Sequence, residues 1–176
     1  MIRENLAIEL ARLSDAAPIA RISRDEIERG LGWSWTRERV ARAVRSRETN
    51  VVVARHRNRL AGFGIMRYGY DRAELDLLAV TGRHRRRGLG RRVVDWLTAV
   101  AVTAGLRRVD VQLRETNGGA AAFYRSLGFH EVKRIPGYYR GRETAFLMTR
   151  RSGAGVAEGQ RVWPAAPHFP RPPGER

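Results

Sequence analysis

Arg83-His84-Arg85-Arg86-Arg87-Gly88-Leu89-Gly90-Arg91-Arg92 is the stretch on which the reading of this chain turns, six arginines and two closely spaced glycines running straight into an amphipathic helix. After Gly88 the apolar residues Leu89, Val93, Leu97, Val100, Ala101 and Ala104 recur three and four positions apart, and Gly105 stands where a helix usually stops. Just upstream, Leu75, Leu77, Leu78, Ala79 and Val80 form a nearly continuous apolar run, the pattern of a buried strand. The order is strand, loop, helix. A helix N-terminus carries backbone N–H groups without intrahelical partners and a partial positive charge, so an anion seated there completes bonds the helix cannot make for itself. Gly88 and Gly90 let oxygen atoms approach the main chain and permit the backbone angles such a loop requires. Arg85, Arg86, Arg87, Arg91 and Arg92 add charge and forked donors suited to phosphate oxygens. Pyrophosphate or a phosphorylated nucleotide is the natural guest. The loop carries neither G-x-x-x-x-G-K-[ST] nor G-x-G-x-x-G, so the P-loop and dinucleotide-fold fingerprints are missing. The plainer reading is an exposed basic helix start.

The chain has 176 residues, enough for one ordinary domain, and 43% of them are hydrophobic, which can supply its core. No apolar run approaches bilayer length, and the opening Met1-Ile2-Arg3-Glu4-Asn5 lacks a signal or transit pattern, so a soluble cytoplasmic protein without a membrane role is expected. There is no cysteine, which excludes a disulfide, a thiol nucleophile and a thiolate metal site. His56, His84, His130 and His168 are far apart in sequence and lack ligand spacing, so no metal is expected. A net charge of +16 attracts polyanions. Lys133 is the only lysine, however, so the excess of arginine reflects genomic base composition as much as selection. A nucleic-acid partner is accordingly not favoured.

Along the chain, residues 6–13 alternate as a first strand, and Ser14-Asp15-Ala16-Ala17-Pro18 reads as the start of a helix running to Glu28. Residues 30–36 break it, and a second helix follows with Val40, Ala43 and Val44 on one face. Residues 51–54 and 60–70 read as a hairpin across Arg57-Asn58-Arg59, with a strand over 73–80 next. Beyond the long helix come a strand at 108–113, a helix over 117–127 capped by Asn117 and stopped by Gly128, and strands at 129–135 and 144–148. The pattern βααβββαβαββ is a mixed α/β single domain over residues 1–150. Residues 151–176 turn to Gly, Ala and Pro and read as a disordered or draped tail, in which Trp163 and Phe169 are candidate anchors for a partner.

At this point the chain resembles the GCN5-related N-acetyltransferase (GNAT) family, whose signature is Gln or Arg, two residues, Gly, one residue, then Gly or Ala. Arg85-Arg86-Arg87-Gly88-Leu89-Gly90 matches it, with Leu78-Ala79-Val80 upstream in the expected place. A second block, Asn117, then residues 120–122, then Phe123-Tyr124-Arg125-Ser126-Leu127-Gly128-Phe129, is similar to the family's N…A…LYxxxGF block. The resemblance covers roughly residues 6–149. It implies a GNAT-like fold with a mixed central sheet, helices on both faces and a splayed pair of parallel strands, here 73–80 and 108–113. Residues 111–114, Tyr138-Tyr139 and 145–148 are most similar to the ribosomal-protein alanine N-acetyltransferase group.

The resemblance further implies acetyl-CoA as donor. Its pantetheine arm would hydrogen-bond to the backbone of Leu78, Ala79 and Val80 like an added strand, and its pyrophosphate would lie on the N–H groups from Arg86 through Arg87, Gly88, Leu89 and Gly90 to Arg91. Arg85 completes the signature, and Asn117 matches an asparagine that contacts the cofactor. Tyr124 matches the tyrosine that protonates the departing sulfur. A phenol is a serviceable acid for that thiolate. The alternative for Tyr124 is plain packing, since it shares a helical stripe with Ala120 and Leu127.

The general base departs from the pattern. The alanine-acetylating group carries a glutamate where this chain has Gln112, and glutamine cannot take a proton, so the base lies elsewhere or is water. Glu74 is the leading substitute, matching the glutamate that histone-acetylating members place on the preceding strand. Asp76 lies two residues on, on the same face, where the two carboxylates share the task or raise one another's pKa; the alternative is a solvated pair. The acceptor groove is expected to be lined by Trp33, Trp35, Tyr138 and Tyr139. The expected activity is transfer of acetyl to a primary amine, in particular a protein N-terminal α-amine. The alternatives are a small-molecule amine acceptor, or a non-catalytic Arg-rich module on the same fold that binds RNA or the ribosome. Monomer and homodimer are both compatible.

Overall fold

The computed structural model describes residues 6–30, 32–139 and 141–152; the readings of the first five residues and of the tail, with Trp163, Phe169 and His168, lie outside them. The elements are β1 (Leu6–Leu10), α1 (Ala16–Glu26), α2 (Arg37–Arg45), β2 (Thr49–His56), β3 (Arg59–Tyr68), β4 (Ala73–Val80), α3 (Leu89–Thr103), β5 (Arg108–Arg114), α4 (Gly118–Ser126), β6 (His130–Tyr139) and β7 (Glu143–Arg151). They follow the expected order. The seven strands form one sheet, β1-β2-β3-β4-β5-β7-β6, in which β4 and β5 are parallel and every other neighbouring pair is antiparallel. Among the described residues no helix is long and apolar enough to cross a membrane.

Both faces of the sheet are covered. Leu89, Val93, Leu97 and Ala101 of α3 and Ala121 and Tyr124 of α4 pack on one face, while Ile19 and Ala20 of α1 and Val40 of α2 pack on the other. That is why β3 is buried without alternation from Ala61 to Met66. Gly64 sits where α3 comes closest, and a Cβ there would lie 2.7 Å from a Val93 methyl and 2.8 Å from a Leu97 methyl. The β2–β3 turn uses Arg57 and Asn58 at φ +49 and +63, the left-handed pair that tight hairpins demand.

The decisive local feature is a bulge in β4. Ile65 pairs with Leu77 and the next residue, Met66, pairs with Leu75, so Asp76 is an extra residue. Across it the strand changes face. Ala73 and Leu75 belong to the core under α3, and Leu77 and Ala79 to the core under α1 and α2. Pairing with β5 covers only Ala73↔Val109, Glu74↔Asp110 and Leu75↔Val111, after which β4 and β5 part while β5 stays paired with β7 as far as Arg114.

Several boundaries differ from the sequence reading. β1 ends at Leu10, and residues Leu13–Asp15 form a 3-10 turn that Asp15 closes by accepting the Arg12 N–H at 2.8 Å. α1 stops at Glu26 because the N–H groups of Ile27 and Glu28 both turn to the Ser23 carbonyl, each at 2.9 Å. β6 continues past Ile135 to Tyr139 by extruding Pro136, Gly137 and Tyr138, since Ile135 faces Ala145 and Tyr139 faces Glu143. Proline has no N–H for a ladder, and Gly137 takes φ +67, so the bulge falls where the sequence allows it.

Candidate active site

The gap between β4 and β5 opens into one cleft of about 2260 Å³ that reaches from the start of α3 to the loop between α1 and α2. At one end lies the glycine-rich turn. Gly88 caps α3 with φ +73, and the first intrahelical bond is donated by the Arg92 N–H to the Gly88 carbonyl at 3.1 Å. The N–H groups of Leu89, Gly90 and Arg91 therefore stand at the helix N-terminus without intrahelical acceptors. Gly90 has a second purpose beside the one read from sequence: a Cβ there would come within 3.2 Å of the Phe123 ring, so the glycine lets α4 close on α3.

The arginines divide. Arg85 sends Nε to the Val80 carbonyl at 2.9 Å and a terminal nitrogen to Glu26, which ties the loop to the end of α1. Arg91 donates to the Ser126 carbonyl at 3.0 Å, fastening α3 to α4. Arg86, at φ +61, lines the cleft. Arg87 is exposed on the same turn. Leu78, Ala79 and Val80 line the wall that the parting of β5 uncovers. Asn117 caps α4 by accepting the Ala120 N–H at 3.0 Å and lines the cleft as well. The fold also joins two histidines remote in sequence, with His84 Nε2 3.3 Å from His56 Nδ1 and His84 Nδ1 2.9 Å from Thr81 Oγ1.

Tyr124 lines the same cleft, its ring set edge-on to Phe123 and Phe129. Its residue is 6% exposed, and burial pushes the phenol well above its ordinary value. It thus packs in the core and also lines the cleft, so the two readings of it are compatible. A phenol held in its protonated form has a proton to give and keeps it until a strong base forms nearby.

The other end of the cleft is charged. Glu74 and Asp76 do share a face, but neither is simply solvated, because Arg67 donates to Glu74 at 2.7 Å and to Asp76 at 2.9 Å. Burial raises the Glu74 carboxyl above its ordinary value; Arg67 opposes the shift, Asp76 adds to it and Arg72 opposes it. Behind Glu74 sits Asp110, buried and bonded to Arg108 Nε at 2.7 Å and to Thr149. Gln112 is half-buried and lines the same cleft. Trp33, Trp35, Tyr138 and Tyr139 all line this end, Trp33 exposed and Trp35 buried. Burial, with Glu74 and Asp76 next, raises the Tyr138 phenol, and burial pushes Tyr139 up to about 12.

Sequence reasoning missed three residues. Glu28 anchors the segment that carries the two tryptophans, accepting from Ser23 Oγ at 2.8 Å, Ser34 Oγ at 2.9 Å, the Trp35 N–H at 3.1 Å and the Ser34 N–H. Nothing in the local pattern marks it. Arg39, over the Trp35 ring at 4.1 Å, is equally unmarked. Arg67 becomes visible only once the register of β3 against β4 is known, because it is the partner of Glu74 across that ladder.

Comparison with known proteins gives one family. The model of the acetyltransferase (GNAT) family matches residues 16–129. The [ribosomal protein bS18]-alanine N-acetyltransferase of Salmonella typhimurium is 36% identical over 94 residues, covering 52% of this chain and 64% of that protein, just under two thirds of its length. The enzyme of the same description from Escherichia coli is 30% identical over 124 residues, 69% of this chain and 83% of that one. The crystal structure of the Escherichia coli ribosomal-protein-S18-alanine N-acetyltransferase superposes with a TM-score of 0.74 at 25% identity, covering 88% of this chain and 99% of that one. Arabidopsis thaliana NAA60 in complex with acetyl-CoA shares the fold, with a TM-score of 0.74 at 18% identity over 84% of this chain and 98% of that one.

Proposed function

The chain belongs to the acetyltransferase (GNAT) family and is an acetyl-CoA-dependent acetyltransferase, and from that premise we propose that its acceptor is the α-amine of a protein N-terminus, with Tyr124 as acid and Glu74 as base. The observation that carries this reading is that the uncovered edge of β4, the Gly88-capped start of α3, Tyr124 and Glu74 all line one cleft. The relatives named for acetylating an alanine of a ribosomal protein support the choice of acceptor. Residues 1–150 are the catalytic domain in this reading, residues 151–176 a tail, and the location is cytoplasmic.

The residues present fit acetyl-CoA. A helix N-terminus free of a side-chain cap, a left-handed glycine with open space around it and a strand edge without a neighbour offer main-chain donors and acceptors in succession. The amides from Arg86 to Arg91 are the seat for the diphosphate, with Arg86 and Arg87 as charge, Arg85 and Arg91 as struts and Asn117 at the mouth. Leu78, Ala79 and Val80 supply the strand edge. When bound, acetyl-CoA supplies an activated acyl carbon and a thiolate leaving group.

Glu74 accepts the proton that the amine must lose, while Arg67 keeps the carboxylate available against its burial. Tyr124 donates to the departing sulfur. The demand on the base is modest for an α-amine, whose reference pKa of about 7.7 to 8.0 leaves roughly a tenth or more neutral at pH 7, against well under a thousandth for lysine at about 10.4. Gln112, which cannot act as a base, is compatible with that acceptor. The test is CoA release across peptides with free N-termini, peptides with a blocked N-terminus and a single lysine, and small amines. Release with free N-termini is expected, and release confined to lysine or to small amines overturns the assignment of the acceptor.

A further inference from the structure

Arg39, in the first turn of α2, is a cation that the mechanism above leaves unused. It lines the acceptor end of the cleft, is half-buried, and lies with its guanidinium 4.1 Å over the Trp35 ring. Burial lowers its pKa, with Asp76 and Glu28 opposing. Neither carboxylate pairs with it: Asp76 is taken by Arg67, and Glu28 by Ser23, Ser34 and Trp35. Among the described residues Arg39 makes no ion pair and its guanidinium no hydrogen bond. A guanidinium carries five N–H donors, and one that has given up part of its hydration without an anion in return is short of partners that a ligand can supply. Stacking on Trp35 removes its freedom to swing back into water, so it is already oriented. Arg42, three positions along the same helix, lines the cleft beside it.

The acceptor end therefore offers two opposite features, the Glu74–Asp76 carboxylate pair for an incoming ammonium and an unpartnered guanidinium nearby. We propose that the acceptor carries a carboxylate close to its amine and that Arg39, steadied by Trp35, binds that carboxylate, so that the favoured N-termini have Asp or Glu immediately after the first residue. This rests on the acetyltransferase reading and narrows it. A free acidic amino acid offers the same chemistry from a second source.

The test measures binding of Ala-Asp-Ala-Ala-Ala, Ala-Asn-Ala-Ala-Ala and Ala-Arg-Ala-Ala-Ala, all C-terminally amidated, and of free aspartate to the CoA-loaded enzyme by calorimetry, with CoA release from acetyl-CoA followed in parallel. The acidic peptide should bind about tenfold or more tightly than the other two, the size of one charge-assisted contact. Arg39→Gln should bring that ratio close to one, and Arg39→Lys should restore part of it, which a general loss of folding would not do. Tighter binding of free aspartate than of the acidic peptide keeps the carboxylate site and assigns it to a small acceptor. Equal binding of the three peptides, preference for the Arg peptide, or a preference that survives Arg39→Gln overturns the proposal. Equal CoA release from all three peptides sinks this inference and leaves the acetyltransferase reading standing; selective binding without CoA release does the reverse.

Discussion

Arg67 and Glu74 are register partners across the β3–β4 ladder, and the guanidinium of the one holds the carboxylate of the other at 2.7 Å while gripping Asp76 at 2.9 Å. A buried carboxylate beside a second carboxylate would drift towards its neutral form, and a neutral carboxyl cannot take a proton. The paired cation is what would keep Glu74 usable as the proposed base.

The pH dependence follows from the direction of that shift. Burial places the folded-state pKa of Glu74 above its ordinary value, so the contribution of this group to stability is present below the ordinary carboxylate value and is lost as pH rises through the raised one. Activity runs the other way, because the base must be charged. Arg67→Gln removes the main opposing cause, so the acid limb of kcat/KM, with the acceptor's own ionisation divided out, should move to higher pH. Glu74→Gln should abolish that limb and lower kcat/KM by about a hundredfold or more. A limb unmoved in both variants removes Glu74 as base.

Tyr124→Phe keeps the ring against Phe123 and Phe129 and deletes only the hydroxyl. kcat should fall by about a hundredfold while the Kd for acetyl-CoA changes less than about threefold. A fall in cofactor affinity that matches the fall in kcat would mean that the hydroxyl binds rather than donates.

Gly88→Ala and Gly90→Ala should separate two roles of the turn. At Gly88 the added methyl meets open space but must accept φ +73, at a cost of about 1–2 kcal/mol. At Gly90 the backbone is helical and the methyl instead presses within 3.2 Å of Phe123. Saturating acetyl-CoA at about 100 times Kd should stabilise the wild-type protein by about 2.7 kcal/mol. Both variants should lose part of that thermal shift, and an undiminished shift in both denies the turn a part in binding.

Glu28→Gln tests whether the tryptophan segment belongs to the acceptor site. The amide presents N–H where Ser34 and Trp35 also present N–H, leaving a buried donor unmatched at about 1–3 kcal/mol. The melting temperature should fall by several degrees, and KM for the acceptor should rise far more than KM for acetyl-CoA. Equal rises would detach Trp33 and Trp35 from acceptor binding.

Much of this was legible in one dimension. The Leu89-Val93-Leu97 period, Gly105 behind it and Gly88 before it set the helix and its uncapped N-terminus, since helical periodicity and the need for a left-handed cap are properties of neighbouring residues. Tyr124 and Glu74 were reached through resemblance, and both line the cleft. What escaped was the company they keep. Arg67 lies seven residues from Glu74 in sequence and became its partner only through the register of a ladder; Gly90, read as an opening for phosphate, turned out to make room for Phe123 as well.

The sequence by itself determined the order of elements and the glycine-started helix at Leu89, because each is written in spacings of a few residues, while the sheet covered on both faces was implied by the resemblance of its two motifs to a known family. Only the tertiary structure decided the bulge at Asp76, the point beyond Leu75 at which the splayed strands β4 and β5 part, the sharing of Arg67 between two carboxylates and the anchoring of the tryptophan segment on Glu28. The first three depend on which residues of neighbouring strands come face to face, where a one-residue change of register would reassign them, and the last on a loop folding back onto the residues after α1.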